Sequence, residues 1–171
     1  MSKKKELKRI REKINELDAE LLKLINQRSS LAIEAGETKE DEVIYKPERE
    51  ATILRNLKKN NPGPLNEEQI SNIFKEIISS CRAQEDELDV AFLGPEGTYS
   101  DSAVKKNFGS SVNKSATETI KDVFEAVTAG KSDYGIVPIE NSTEGPINQT
   151  LDCLTDFNVK ICGEVEMLIH H

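Results

Sequence analysis

From residue 3 to residue 35 the chain contains neither glycine nor proline, and its apolar residues recur in alternating steps of three and four. Leu7, Ile10, Ile14, Leu17, Leu21, Leu24, Leu31 and Ala35 carry the pattern, which puts them on one stripe of a single long helix. So long a helix has little of its own chain to bury the stripe against, and the sequence predicts a dimer. One position on the stripe breaks the rule: it is Arg28, where a packing seam wants leucine. Arg11 flanks the same seam, and Lys39 follows Arg28 by eleven residues, about three turns, so both point nearly the same way. A cation directed inward is costly unless an anion meets it. Arg28 could instead snorkel to the helix edge, but three cations in one pattern favour an anion site. Arg11 and Arg28 lie 17 residues apart, about 25 Å along a straight helix. Either they serve different purposes, or Arg11 reaches a site built by a second copy running antiparallel.

Composition removes several classes of function. The chain has 171 residues, 32% of them charged, and a formal net charge of −8. Residues 1–88 are close to neutral and residues 89–171 carry most of the negative charge. Nucleic-acid binding needs a basic face and is not expected. No apolar run is long enough to span a bilayer, and the start, MSKKKELKRI, lacks the apolar core of a signal peptide. Neither nucleic acid nor membrane is therefore expected as a partner. Cys81, Cys153 and Cys162 are an odd, widely spaced set, as expected of reduced thiols in a cytoplasmic protein. The only histidines are His170 and His171, so a histidine metal centre or Ser/His/Asp triad is not expected.

After an acidic loop at residues 40–42, Pro47 suits the first turn of a second helix ending near Asn60. Arg49 and Glu50 precede Ile53 and Leu54 by four residues and are expected over its buried face. NNPGP closes that helix. Asn66 with Gln69 resembles a capping box for a third helix, whose stripe is Ile70, Ile73, Phe74, Ile77 and Cys81. The next place on that stripe is Glu85, which reads either as an inward acid or as the start of an acidic linker.

With IREKINELDAELLKLINQR, the G-x-x-K of residues 36–39, KPERE and IFKEIISSCRAQE in view, residues 1–88 resemble the all-helical chorismate mutases found at the N-terminus of the bifunctional chorismate mutase–prephenate dehydratases. The resemblance implies a three-helix domain in an intertwined homodimer, with one arginine of each site supplied by the partner. It implies that Arg11 is that arginine, that Arg28 and Arg49 hold carboxylates, that Lys39 faces the ether oxygen and that Glu50 holds the ring hydroxyl. Cys81 and Glu85 fall where relatives have a small hydroxyl residue and Gln. Lys46 stands where at least one relative has Asp. The implied reaction, chorismate to prephenate, is a unimolecular rearrangement that needs no nucleophile, metal, cofactor or general base. It needs the substrate held in its reactive conformer and donors aimed at the breaking C–O bond, for which Arg28, Lys39 and Glu85 are the expected catalytic residues. Only a protonated Glu85 could donate to that oxygen, so activity should fall at high pH and Glu85→Gln should flatten the profile.

The texture changes at Asp89. DVAFLG reads as a strand, GPEGTYS as a glycine-rich turn into a helix capped near Thr98 or Ser100, and Ser111 to Lys114 as a short strand. A helix is expected over residues 120–129, a buried strand running into a polar loop over YGIVPIENSTEGP, a helix over residues 147–155, and a last strand in VKICGEVEMLI. Strand–helix alternation predicts a mostly parallel α/β sheet, with ligand groups in the loops after the strands. Residues 90–171 resemble the first part of prephenate dehydratases through FLGPEGTYSDSA, VFEAV, YGIVPIENSTEG and N-x-T-L-D. That resemblance implies an incomplete α/β lobe of periplasmic-binding-protein type at residues 89–171. Its part-site would comprise Thr98, Tyr99 and Ser100 with Glu140, Asn141 and Ser142. It also implies prephenate as a second substrate, a place in phenylalanine biosynthesis, and no dehydratase activity without the second lobe. A helical dimerisation module bearing a solute-sensing lobe is the alternative from another functional class, though such a seam would gain nothing from Arg28 or Glu85.

Overall fold

A computed structural model describes residues 3–38, 45–141 and 145–168 and divides the chain into two compact units, Met1–Glu42 and Val43–His171. The first unit is the helix α1, Lys3–Glu37, about 52 Å long at 1.5 Å per residue. It buries none of its residues. Leu7, Ile10, Ile14, Leu17, Leu21, Leu24 and Leu31 are each between 45% and 64% exposed, so the stripe that defines the helix is left open within its own unit among the described residues.

The second unit begins with α2, Pro47–Lys59, and α3, Glu67–Arg82. Pro47 opens α2, and its first and last turns carry acids and bases that suit the helix dipole. The capping box of α3 is present: Gln69 N donates to Asn66 Oδ1 at 2.8 Å, and Asn66 N donates to Gln69 Oε1 at 2.9 Å. The face α3 buries is rotated from the expected stripe. Ile70, Ile78, Ser79, Cys81 and Arg82 are buried, whereas Ile73 is 45% exposed. The cause lies at Gly109, whose backbone comes so close that a Cβ there would sit 2.4 Å from Ser79 Cβ.

The sheet contains β1 (Asp89–Leu93), β2 (Asn113–Thr117) and β3 (Tyr134–Ile136) in the order β2-β1-β3, all parallel. The helices α4 (Tyr99–Phe108) and α5 (Ile120–Thr128) make the two crossovers. Alternation along β1 sends Val90 and Phe92 into a core with Val104, Phe108, Leu88 and Tyr45. Val90, Phe92 and Val104 are fully buried, and burial of such side chains contributes about 1.5–3 kcal/mol each. Leu93 packs instead with a second cluster built on Ile120, Phe124 and Cys153. A short antiparallel pair, β4 (Glu140–Asn141) and β5 (Gly145–Pro146), leads to α6, Asn148–Asp156.

Two expectations are corrected. The second strand lies at Asn113–Thr117 rather than at Ser111 to Lys114, set by its register against Asp89 to Leu93. A closing strand is expected over residues 159–169; residues 159–168 form none, and residue 169 lies outside the described residues. Val159 packs on the Ile120 cluster, but Ile161 and Leu168 are 71% and 75% exposed, and a strand without a buried face has nothing to fix its register. No helix among the described residues is long and apolar enough to cross a membrane.

Candidate functional site

On α1, Arg28 is half-buried and Arg11 exposed. Among the described residues neither has an acid within ion-pairing distance. A helix of Leu, Ile and long polar residues extends without a break from one to the other, so their separation is set by helical rise alone. Lys39, the third cation of the pattern, lies outside the described residues.

In the second unit, α2 and α3 bring Glu50, Cys81 and Glu85 to its interior or its margins. Of the neighbours Arg49 and Glu50, expected together over the buried face, only Glu50 turns inward; Arg49 is exposed. Glu50 Oε1 accepts a hydrogen bond from Arg82 Nη1 at 2.5 Å, and Arg82 Nη2 donates to the carbonyl of Phe108 at 2.8 Å. The guanidinium also lies 5.0 Å from the centre of the Tyr45 ring. Burial, then the nearby Glu50 carboxylate, pushes the Tyr45 phenol up to about 12. Cys81 is a free thiol, 1% exposed. Glu85 follows α3 with its backbone N–H bonded to the Arg82 carbonyl at 2.8 Å. Its Oε2 is buried and has no hydrogen-bond partner among the described residues. Lys46, at the start of α2, is half-buried.

The loops after β1 and β3 emerge from adjacent strands at the same end of the sheet. Loops at the carboxyl ends of such parallel strands are where α/β sheets gather ligands. Thr98 serves as the cap of α4: its Oγ1 donates to the Pro95 carbonyl at 2.9 Å and accepts from Asp101 N at 3.5 Å. Tyr99 is half exposed and Ser100 half-buried. Glu140 is exposed and Asn141 half-buried, one residue before the undescribed 142–144, which include Ser142.

Two charged residues that support the first loop are not distinguished by sequence reasoning. Asp101 Oδ1 accepts from Lys114 Nζ at 2.6 Å, and Asp101 Oδ2 accepts from Gly97 N at 2.9 Å. These bonds, the lysine's first, hold the Asp101 carboxyl below the usual carboxylate range. The T-x-x-D spacing at Thr98 marks Asp101 as a capping-type acid; nothing local marks Lys114, which arrives from the neighbouring strand. Arg82 is likewise invisible, because its partners are 32 and 26 residues away.

Comparison with known proteins divides the chain in two. Residues 10–86 match the family model described as chorismate mutase type II, and residues 90–171 match that described as prephenate dehydratase. Similar proteins include three named bifunctional chorismate mutase/prephenate dehydratase. That of Stutzerimonas stutzeri is 46% identical over 178 residues, covering 100% of this chain and 49% of the relative. That of Aquifex aeolicus is 40% identical over 166 residues, covering 94% and 46%. That of Escherichia coli strain K12 is 31% identical over 182 residues, covering 95% and 47%. The chain thus spans about half the length of the curated relatives it matches.

Proposed function

We propose, from the premise that residues 10–86 belong to the type II chorismate mutases and residues 90–171 to the prephenate dehydratases, that this chain rearranges chorismate to prephenate and carries part of the domain that dehydrates prephenate. The dimerisation-module alternative is not favoured by these relationships. Chorismate is a dicarboxylate, and its rearrangement is accelerated by holding one conformer and stabilising charge on the ether oxygen. Arg28 and Arg49 hold carboxylates through paired hydrogen bonds, and Arg11 does so from a second copy. Glu50 accepts from the ring hydroxyl, Cys81 lines the pocket, and Lys39 and Glu85 address the ether oxygen. The homodimer is supported by the exposed stripe of α1. Residues 89–171 form one lobe of a periplasmic-binding-protein-like cleft, with Thr98, Tyr99, Ser100, Glu140, Asn141 and Ser142 on its wall.

The observation that carries the mutase reading is the buried Glu85 Oε2, which has no hydrogen-bond partner among the described residues. An unsatisfied buried polar atom costs about 1–3 kcal/mol, and a substrate oxygen that shares its proton removes that cost. The test is chorismate consumption by the purified chain, followed by absorbance over a range of pH. Turnover is expected, with wild-type activity falling towards high pH and Glu85→Gln, which donates at every pH, giving the flatter profile. No turnover would overturn the reading. Superimposable profiles would remove Glu85 from the mechanism.

A further inference from the structure

Arg82 is 5% exposed at the end of α3, and both of its terminal nitrogens are committed. One holds Glu50 Oε1 at 2.5 Å, on the first turn of α2; the other holds the Phe108 carbonyl at 2.8 Å, at the last residue of α4. That carbonyl belongs to the unpaired C-terminal set of a helix, where a cation is favoured. The opposite end of α4 is the Thr98–Tyr99–Ser100 turn. Tyr45 stacks on the guanidinium and on Phe108, with ring centres 5.1 Å apart for the two aromatics. One buried arginine therefore joins a carboxylate of the chorismate-binding set to the framework of the α/β lobe.

We infer that Arg82 is a positioning residue for the mutase reaction: it orients the Glu50 carboxylate and keeps it ionised, using the end of α4 as a fixed support. The inference rests on the mutase reading for the role of Glu50. A carboxylate accepts about four hydrogen bonds, so the bond to Arg82 leaves acceptor capacity for a hydroxyl while fixing the carboxyl plane. Among the described residues the titratable groups around Glu50 include, besides Arg82, Tyr45, whose phenol is pushed up to about 12, and Lys75 on α3, with Lys58 of α2, Lys106 of α4 and Cys162 next beyond them. Lys75 is itself engaged with the Lys106 carbonyl at 2.7 Å. Arg82 is in direct contact with Glu50, and its removal takes that charge away from a half-buried carboxylate, which disfavours the ionised form.

The test is Arg82→Gln, with Arg82→Lys as a second variant that keeps the charge but cannot span both partners with a planar fork. Arg82→Gln is expected to raise KM for chorismate about tenfold, equivalent to about 1.4 kcal/mol, with kcat within about twofold. Its acid limb in kcat/KM should move to higher pH, because Glu50 now takes up a proton more readily. Arg82→Lys should fall between the two. In a Glu50→Gln background the Arg82→Gln effect on KM should vanish, since a purely structural role would persist there. Carboxyl-carbon NMR of labelled glutamate reads the Glu50 titration without reference to turnover, and its midpoint should rise in Arg82→Gln. A folded variant with wild-type KM and an unmoved Glu50 midpoint overturns the inference while leaving the mutase reading intact. If Arg82→Gln does not fold, the same comparison in Arg82→Lys decides. Absence of turnover in the wild type overturns the mutase reading and the catalytic part of the inference together, and a moved Glu50 midpoint would then leave Arg82 a structural role alone.

Discussion

Replacing Gly109 by alanine should damage the second unit more than any ordinary glycine substitution, and the structure says by how much. Gly109 has φ of +81°, and a Cβ on it would lie 2.4 Å from Ser79 Cβ and 2.6 Å from Ser79 Oγ. With ψ of −172° this is the extended positive-φ region that only glycine adopts readily, and it costs an alanine about 1–3 kcal/mol. Forcing α3 and the end of α4 apart by the missing ångström adds about 1–3 kcal/mol, the usual range for overpacking. The sum is about 2–6 kcal/mol. Gly130 supplies the control: its φ is +67°, but nothing lies within 4 Å of its Cβ position, so Gly130→Ala should lose only the cost of its own positive-φ backbone. The three tyrosines, Tyr45, Tyr99 and Tyr134, all lie in the second unit and the chain has no tryptophan. Near-ultraviolet circular dichroism during urea unfolding therefore reports that unit alone. If the two variants lose equal stability, the close approach of α3 to α4 is not what the geometry implies, and the rotated face of α3 would need another cause.

Arg28→Ala should abolish chorismate turnover, by about 100-fold or more as for loss of one preorganised donor, with helical circular dichroism unchanged. Arg11→Ala should do the same alone, yet the two variants unfolded and refolded together should regain activity, because one site of a heterodimer holds both arginines; no recovery in verified heterodimers would mean that each chain completes its own site. Asp101 is held below its ordinary value of 3.8 chiefly by Lys114, so its contribution to stability is present above that value and disappears as pH falls through the lower folded value. Lys114→Gln should bring acid unfolding to higher pH, and an unchanged acid midpoint would show that the pair contributes nothing to it.

What the sequence makes legible follows the range of the interaction that fixes each feature. The helix α1 is readable because its periodicity and its freedom from glycine and proline are local facts. The same holds for the capping box at Asn66 and for Thr98, whose hydrogen bonds close within three residues. The strand β1 is readable because a run of Val, Ala, Phe and Leu buried on both faces leaves little else to form. Its neighbour β2, Asn-Lys-Ser-Ala-Thr, has no apolar alternation; it is a strand only because β1 offers it a ladder, and so its boundary slipped. The tail at residues 159–168 fails in the opposite direction, since Val159, Ile161, Val165 and Met167 alternate like a strand but have no ladder to join.

The candidate site divides along the same line. Glu85 is readable as the next place on a helical stripe, and its buried Oε2, without a partner among the described residues, agrees with an acid turned inward rather than with a solvated linker. Glu50 is readable as a residue over an apolar face, but the reason it can stay there as a carboxylate is not. That reason is Arg82, contributed by the next helix and itself satisfied by a carbonyl of a third. A buried ion pair is expensive unless every remaining donor finds an acceptor. Burying this one therefore requires α2, α3 and α4 to be in place at once. The carboxylate that the helical sequence presents is thus anchored through Arg82 to the α/β segment that follows it, so exchanging α4 for an unrelated helix should disturb Glu50 through Arg82.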